Sequence, residues 1–318
     1  NSASVSYGDD RIGQDVLVIS GTATFSDKNA ATGKTVTANN LALTGTDAGN
    51  YELASTTATT QANIDKATLT ATLNAQNKIY DGNNSASVSY GDDRIGQDVL
   101  VVSGTATFSD KNAATGKTVT ATGLALTGTD AGNYELASTT ATTQADIDKA
   151  TLTATITAQN KIYDGNNSAS VSYGDDRIGQ DVLVVSGTAT FSDKNAGSNK
   201  TVIVNGLTLS GADAGNYVLA ATTATDTADI SKAQAIVTAN SLNTVYNGQN
   251  QTVTGFTASG LVGGEDESVL TGVSTTGGTG KNAGSYAHTA SGTDGNYDIT
   301  FVAGQLEIDK AKATVTAN

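Results

Sequence analysis

Cysteine, methionine, tryptophan and proline are all absent from these 318 residues, and there is a single histidine, His288. Without cysteine there is no disulfide framework, no thiolate zinc site and no cysteine nucleophile. His288 lies between Ala287 and Thr289 in a strand-like stretch. No histidine recurs beside the abundant serines and threonines, so no nucleophilic triad can recur either. Aromatic residues make up only 5% of the chain, which implies thin cores. Positive charge is scarce, with 17 Lys and Arg against 31 Asp and Glu and a formal net charge of −14. Nucleic acid and anionic membrane surfaces both select clusters of Lys and Arg, so neither is expected as a partner. No run approaches the roughly 18 apolar residues of a transmembrane helix, so no membrane insertion is expected in this segment.

What the chain has instead is repetition. Asp130-Ala131-Gly132-Asn133-Tyr134 also occurs from Asp47 to Tyr51 and from Asp213 to Tyr217, and in shortened form as Asp294-Gly295-Asn296-Tyr297. Tyr51, Tyr134 and Tyr217 are spaced 83 residues apart, and Tyr297 follows after a further 80. That period is too long for a helical solenoid unit or a propeller blade and suits a small domain. The division that follows is an incomplete copy over 1–66, then 67–149, 150–232 and 233–310. Residues 311–318 resemble 233–240 and read as the first strand of a further copy. Asn1 aligns with Asn84, so the chain is read as a segment of a longer array. From there to Lys66 the first two copies differ at Ile19/Val102, Asn39/Thr122, Asn40/Gly123 and Asn63/Asp146.

Within 67–149 the apolar period is two. Leu69, Ala71 and Leu73 alternate, as do Ala86, Val88 and Tyr90, Val119 and Ala121, and Ala145 and Ile147. Gly, Asn and Asp clusters punctuate these runs, and no helix is expected. Seven or so short strands in such a repeat describe an immunoglobulin-like β-sandwich. The fold class expected is therefore all-β, with tandem immunoglobulin-like β-sandwich domains forming an elongated rod. The rod follows from joints at 148–150, 231–233 and 309–311 that contain no flexible linker. An Asp-x-Gly-x-Tyr sequence before a strand looks like a tyrosine corner, in which the hydroxyl bonds back to the backbone. On that reading Tyr51, Tyr134, Tyr217 and Tyr297 are structural. Asp130 holds nearby amides of the turn and Gly132 supplies permissive backbone.

Chemistry has few candidates. Asp92-Asp93 and the pair Asp146 and Asp148 are close-spaced loop carboxylates, not groups set across a cleft as glycosidase chemistry requires. Calcium is the sharper alternative, since hard cations want clustered oxygens. Asp92, Asp93 and Asp98 share one loop, and Asp146 and Asp148 lie near a joint where Asp81 could meet them. Against calcium, Asn63 and Ser231 replace Asp at matching places, and no Asp-x-Asp-x-Asp-Gly loop occurs. Surface pairing of these acids with Arg94 and Lys149 is the plainer reading. Gly277-Gly278-Thr279-Gly280-Lys281 looks like a phosphate loop but is followed by Asn282 and by no helix, so it is read as a hairpin turn. No lysine is singled out for an isopeptide crosslink.

A second motif, Lys78-Ile79-Tyr80-Asp81-Gly82, recurs over 161–165 and is varied as Val245-Tyr246-Asn247-Gly248. With Phe108-Ser109-Asp110-Lys111-Asn112 and the tyrosine pentapeptide, it resembles the signature of the YDG repeat family. Residues 233–310 resemble the related MBG (mostly bacterial Ig-like) domain, with Lys281-Asn282-Ala283-Gly284-Ser285-Tyr286 as its inner motif. The fourth copy departs at Asn247, where the signature has Asp. The resemblance makes Tyr80, Tyr163 and Tyr246 structural residues and carries over no catalytic ones. It implies a large bacterial surface adhesin of the filamentous-haemagglutinin type, secreted by the two-partner route, in which such repeats form a stalk. The expectation is a non-catalytic extracellular spacer at the cell surface or in the biofilm matrix, without cofactors. Its partners would be the neighbouring repeats of the same chain. Two alternatives stand beside it: repeats that bind neighbouring stalks or surface glycans weakly and multivalently, and a self-assembling matrix fibre.

Overall fold

Threonine and valine at alternate positions favour extended chain, because β-branched side chains are stiff and fit a pleated surface. The computed structural model describes residues 1–316 and is built of strands. Four short 3-10 turns interrupt them, at Ala48–Asn50, Ala131–Asn133, Ala214–Asn216 and Glu267–Val269. The fold is the all-β, tandem immunoglobulin-like arrangement that the period of two predicts. The chain divides into two compact units between Lys149 and Ala150.

In the first unit, residues 67–149 form a complete sandwich. One sheet has the strand order Lys78–Ile79, Thr140–Asp148, Ala114–Thr127, Val101–Phe108. The facing layer is made by Ala71–Ala75 paired antiparallel with Val88–Asp92 and by Ala67–Leu69 paired parallel with Tyr134–Leu136. The alternation of Leu69, Ala71 and Leu73 hides a change of partner at Thr70, whose amide donates to Asp93 Oδ1 at 2.7 Å. The core between the layers is small: Leu69, Leu100, Val102, Phe108, Val119, Ala121, Leu124 and Ile147 are buried. The apolar run 99–102 is a half-buried stretch, with Leu100 and Val102 inward and Val99 and Val101 exposed.

Ala121 and Leu124 both face the core although they are three residues apart. A β-bulge between Thr122 and Ala125 makes this geometrically possible by adding one residue against the strand Val101–Phe108. Gly123 sits in the bulge at φ +63°, and its counterpart Asn40 has φ +53°. Asparagine is among the few side chains that tolerate this conformation, which explains why the first two copies can differ there.

The first copy keeps its main sheet, ordered Ser2–Ala3, Val18–Phe25, Ala31–Thr44, Ala58–Ile64. It has no counterpart of 67–75 within these residues, and the segments that would pair with it, 51–53 and 5–9, are not strands. A cleft of about 440 Å³ lined by Tyr7, Leu17, Leu41, Leu43 and Tyr51 lies there instead. Only Asp65 and Lys66 separate Ala58–Ile64 from the first strand of the next copy, Ala67–Leu69.

In the second unit, 150–232 reproduces the same pairings. In 233–310 the two short first strands are fused into one, Ala233–Ala239, which pairs parallel with Tyr297–Val302 and antiparallel with Phe256–Ser259. Lys232 alone separates it from Thr223–Ser231. One buried cluster runs from Tyr163, Phe191 and Ile230 of the third copy to Val237, Leu270 and Tyr297 of the fourth. His288 is 1% exposed, and its Nδ1 lies 2.8 Å from the Asn240 carbonyl oxygen. Residues 311–316 form no strand; the expected strand over 311–318 runs on into 317 and 318, which lie outside the described residues.

Gly123→Ala should destabilise the second copy by about 1–2 kcal/mol, because a Cβ there meets no atom within 4 Å and only the left-handed backbone is strained. Gly123→Asn should cost less than Gly123→Ala, as measured by the shift in the chemical unfolding transition.

Candidate functional site: the joints between repeats

The recurring tyrosine is fixed by a loop of its own copy. The hydroxyls of Tyr51, Tyr134, Tyr217 and Tyr297 accept from the amides of Ile12, Ile95, Ile178 and Val262 at 2.9–3.0 Å. The same hydroxyls donate to carboxylates three residues further on, Asp15, Asp98, Asp181 and Glu265, at 2.5, 2.8, 2.6 and 2.7 Å. The hydroxyl thus reaches backbone as a tyrosine corner requires, but 35–39 residues upstream and as an acceptor. Asp130 also departs from expectation. Its Oδ2 accepts from the Val99 amide at 2.8 Å, closing the same loop, and its side chain makes no cap bond to the turn. In the fourth copy alone does the aspartate, Asp294, hold the nearby amides of Asn296 and Tyr297.

Gly132 is not the permissive glycine. It does not adopt positive φ, and a Cβ on it would meet nothing within 4 Å. The conformationally demanding position is Gly128, at φ +114°, where a Cβ would lie 2.5 Å from the Val99 carbonyl oxygen. Position 128 marks the close approach of the pentapeptide's turn to the loop that it anchors.

The loop carboxylates also face the preceding copy. In the first unit Lys28 Nζ lies 2.6 Å from Asp98 Oδ1 and 3.3 Å from Asp130 Oδ1. The Ala30 amide donates to Asn133 Oδ1 at 2.8 Å, and Asn133 Nδ2 donates to Asn29 Oδ1 at 3.3 Å. A Lys-Asn-Ala turn of one copy is thus held by two aspartates and an asparagine of the next. The second unit repeats the scheme. The Ala196 amide donates to Asn296 Oδ1 at 2.9 Å, Asn296 Nδ2 donates to Asn195 Oδ1 at 3.3 Å, and Lys194 Nζ lies 3.1 Å from Glu265 Oε1. Here the YDG-type tyrosine joins in. Tyr163 donates to Glu265 Oε1 at 2.6 Å, and its ring meets Tyr297 edge-on at 5.5 Å. Lys194 also stands 5.9 Å from the centre of the Tyr163 ring, a cation–π distance.

Electrostatics follow from these contacts. Lys28, and after it the Tyr134 hydroxyl, hold Asp98 below the usual aspartate value. Burial alone would raise Glu265, but the Tyr163 and Tyr297 hydroxyls and the Lys194 ammonium bring it below the usual glutamate value. Burial, with the Glu265 carboxylate adding to it, pushes the Tyr297 phenol up to about 12.

The calcium candidates are not brought together. Asp92 is bound by Arg94 at 2.5 Å, with the Asp92 side chain only 3% exposed. Asp93 accepts the Thr70 amide, Asp98 serves the joint, and Asp146 Oδ1 accepts the Gly116 amide at 2.7 Å. Asp148 is exposed at the end of its strand, and Asp81 pairs with Lys78 at 2.7 Å. Among the described residues no group of three or more His, Cys, Asp or Glu side chains is placed to hold a metal ion. Two lysines are buried, Lys34 and Lys117, and both are ion-paired, with Asp27 and Asp110. Tyr80 and Tyr163 are buried, whereas Tyr246 is 40% exposed, its amide bonding the Asp309 carbonyl. Among the described residues no helix is long and apolar enough to cross a membrane.

The YDG domain model matches residues 2–59, 64–142 and 148–225. The chain belongs to the YDG domain family. The fourth copy of this YDG chain matches the MBG domain of the YGX type over 235–307. No curated protein matches it. Among solved structures it is similar to the extracellular domain of protocadherin gamma B4, at 9% identity and a TM-score of 0.23, covering 93% of this chain and 61% of that one. Protocadherin gamma B2 cadherin domains 3–6 match at 10% identity and a TM-score of 0.23, covering 89% and 84%. Drosophila N-cadherin EC1-3 matches at 8% identity and a TM-score of 0.18, covering 76% and 89%. The YDG chain therefore spans less than two thirds of the first of these.

The two glycines of the pentapeptide region should separate cleanly. Gly128→Ala should cost the second copy about 1–3 kcal/mol, from strained backbone and the clash with Val99, whereas Gly132→Ala should leave its unfolding transition within about 0.5 kcal/mol of the parent. Tyr297→Phe leaves the Val262 amide without its acceptor and should cost about 1–3 kcal/mol. The folded phenol titrates above its ordinary value of 10.0, so its contribution is whole below pH 10 and is lost as pH rises through about 12. An ultraviolet tyrosine titration should show an ionisation near 12 that disappears in Tyr297→Phe. At the acid end the sign reverses. The contribution of Glu265 is whole above its ordinary value of 4.5 and is lost as pH falls through its lower folded value. On acidification from neutral pH the near-ultraviolet dichroism of the Tyr163–Tyr297 pair should therefore hold down to pH 4.5 and change below it.

Proposed function

We propose that the chain is a non-catalytic spacer of a bacterial surface adhesin, holding a binding region away from the cell or within the biofilm matrix. The observation that carries this reading is the repeated joint. Within each unit, consecutive copies are separated by at most two residues and are locked by side chains placed alike in both units: Lys28, Asn29 and Ala30 on Asp98 and Asn133, and Lys194, Asn195 and Ala196 on Glu265 and Asn296. A short tether with a directional lock restricts bending, and that is what a spacer needs. The sequence of the joint recurs in every copy, as a geometric role requires, whereas a binding pocket is ordinarily built in one place. An acidic chain resists collapse onto itself and onto anionic cell surfaces, which suits an extracellular location.

The reading predicts that the two copies of one unit lie end to end. Two copies, each of strands with up to 14 residues at about 3.3 Å per residue, give a length on the order of 90 Å. Small-angle scattering of residues 150–310 at neutral pH should return that maximum dimension with a rod-like cross-section. A particle of half that length, with its two copies folded side by side, would overturn the spacer reading.

A further inference from the structure

The second, third and fourth copies each begin and end on strands that run the same way, side by side. In the second, Lys78 and Ile79 pair parallel with Ile147 and Asp148 of the last strand, and in the third Lys161 and Ile162 pair with Ile230 and Ser231. In the fourth the ladder doubles to four pairs, from Leu242 beside Leu306 to Val245 beside Asp309. One amide closes the far end of each ladder. Tyr80 donates to the Asp148 carbonyl at 2.8 Å, Tyr163 to Ser231 at 2.8 Å and Tyr246 to Asp309 at 2.9 Å. At the near end a side chain takes over from the backbone. Asn77 Oδ1 accepts the Asp146 amide at 2.8 Å, Asn160 Oδ1 the Asp229 amide at 2.8 Å, and Ser241 Oγ the Gln305 amide at 3.2 Å.

Direction decides what such a ladder does under tension. Parallel strands start at the same end. Tension along the chain enters a copy at the start of its first strand and leaves at the end of its last. It therefore slides the two strands past one another, and the bonds between them share the force until they fail together. First and last strands paired antiparallel would instead be opened from one end, one bond at a time. The fourth copy adds a second long ladder. Its unbroken strand Ala233–Ala239 pairs parallel with Tyr297–Val302 over six residue pairs, where the second and third copies have three each. In those two the first strand breaks at Thr70 and Thr153, whose amides donate to Asp93 and Asp176 Oδ1 at 2.7 Å. Val237, Leu306 and Ile308 are at most 1% exposed, so core packing backs both ladders of the fourth copy.

We propose that these copies bear tension through their parallel ladders, loaded in shear, and that the fourth is the strongest link. A chain under rising tension then lengthens in its second and third copies while the fourth holds. The strength of each copy is its own property and does not rest on the spacer reading. It is also separate from equilibrium stability, because forced rupture follows the rate of unfolding.

Pulling single molecules between chosen points tests this. The chain has no cysteine, so two introduced cysteines give unique handles in the full 318-residue protein. Lys149→Cys with Lys232→Cys spans the third copy, and Lys232→Cys with Lys310→Cys spans the fourth. Gln249→Cys with Lys310→Cys places both handles just beyond one end of the fourth copy's ladder, past Val245 and Asp309. All four positions are exposed. Pulled from that end, the same bonds in the same fold peel in sequence. The chain released, at about 3.6 Å per residue, identifies each rupture. At one pulling speed the end-to-end rupture force of the fourth copy should exceed that of the third. It should fall at least twofold when the handles move to 249 and 310. A third copy that holds to the same force as the fourth would refute the proposal. So would a fourth copy that ruptures at the same force in both directions.

Discussion

One phenol in each copy is shared between an amide and a carboxylate, and the rest of the arrangement depends on it. The tyrosine hydroxyl has a single proton and gives it to Asp98 or its counterpart, while its lone pair takes the Ile95 amide. Those two bonds clamp the loop before the strand Val101–Phe108 onto the tyrosine strand. They also orient the carboxylate, whose other oxygen faces the lysine of the preceding copy in the first unit. The fold of one domain and its attachment to its neighbour are therefore not separate problems. A carboxylate that left the tyrosine would also leave the lysine.

The two joints show how one chemical group changes the strength of such a lock. Asp98 receives Tyr134 and Lys28. Glu265, longer by one methylene, receives Tyr297, Tyr163 and Lys194 together. Its site is also drier, since the buried cluster of the second unit runs from one copy to the next beneath it. Exposed ion pairs by themselves contribute little. The packed tyrosines of the second joint exclude water from the carboxylate and make each of its hydrogen bonds count for more.

Much of the fold was legible because it rests on local rules. The period of two, the turn clusters and the 83-residue spacing of tyrosines each report on a few neighbouring side chains or on simple repetition. The strand break at Thr70 was not legible, because Leu69, Ala71 and Leu73 keep their alternation through it; an aspartate 23 residues away decides it. The bulge at Gly123 did leave a trace, in the slip of phase between Ala121 and Leu124 and in the exchange of Gly for Asn40. The corner glycine was misplaced, from Gly128 to Gly132, since only the path of the loop shows which of the two approaches Val99. The joint was hidden by the repetition that revealed the domains. When every copy carries Lys-Asn-Ala and an Asp-Ala-Gly-Asn-Tyr or its shortened Asp-Gly-Asn-Tyr form, sequence cannot say that the first serves the copy after it and the second the copy before.

That division of labour bears on how such a chain can change its length. Asn133 and the Lys111-Asn112-Ala113 sequence belong to one 83-residue module, so each module brings both a receiving and an inserting surface. Unequal recombination within near-identical genetic repeats adds or removes whole modules. Because the two surfaces travel together, every product of such an exchange is already matched at its new junction and needs no compensating mutation. The number of domains becomes a heritable quantity that varies in steps of one module.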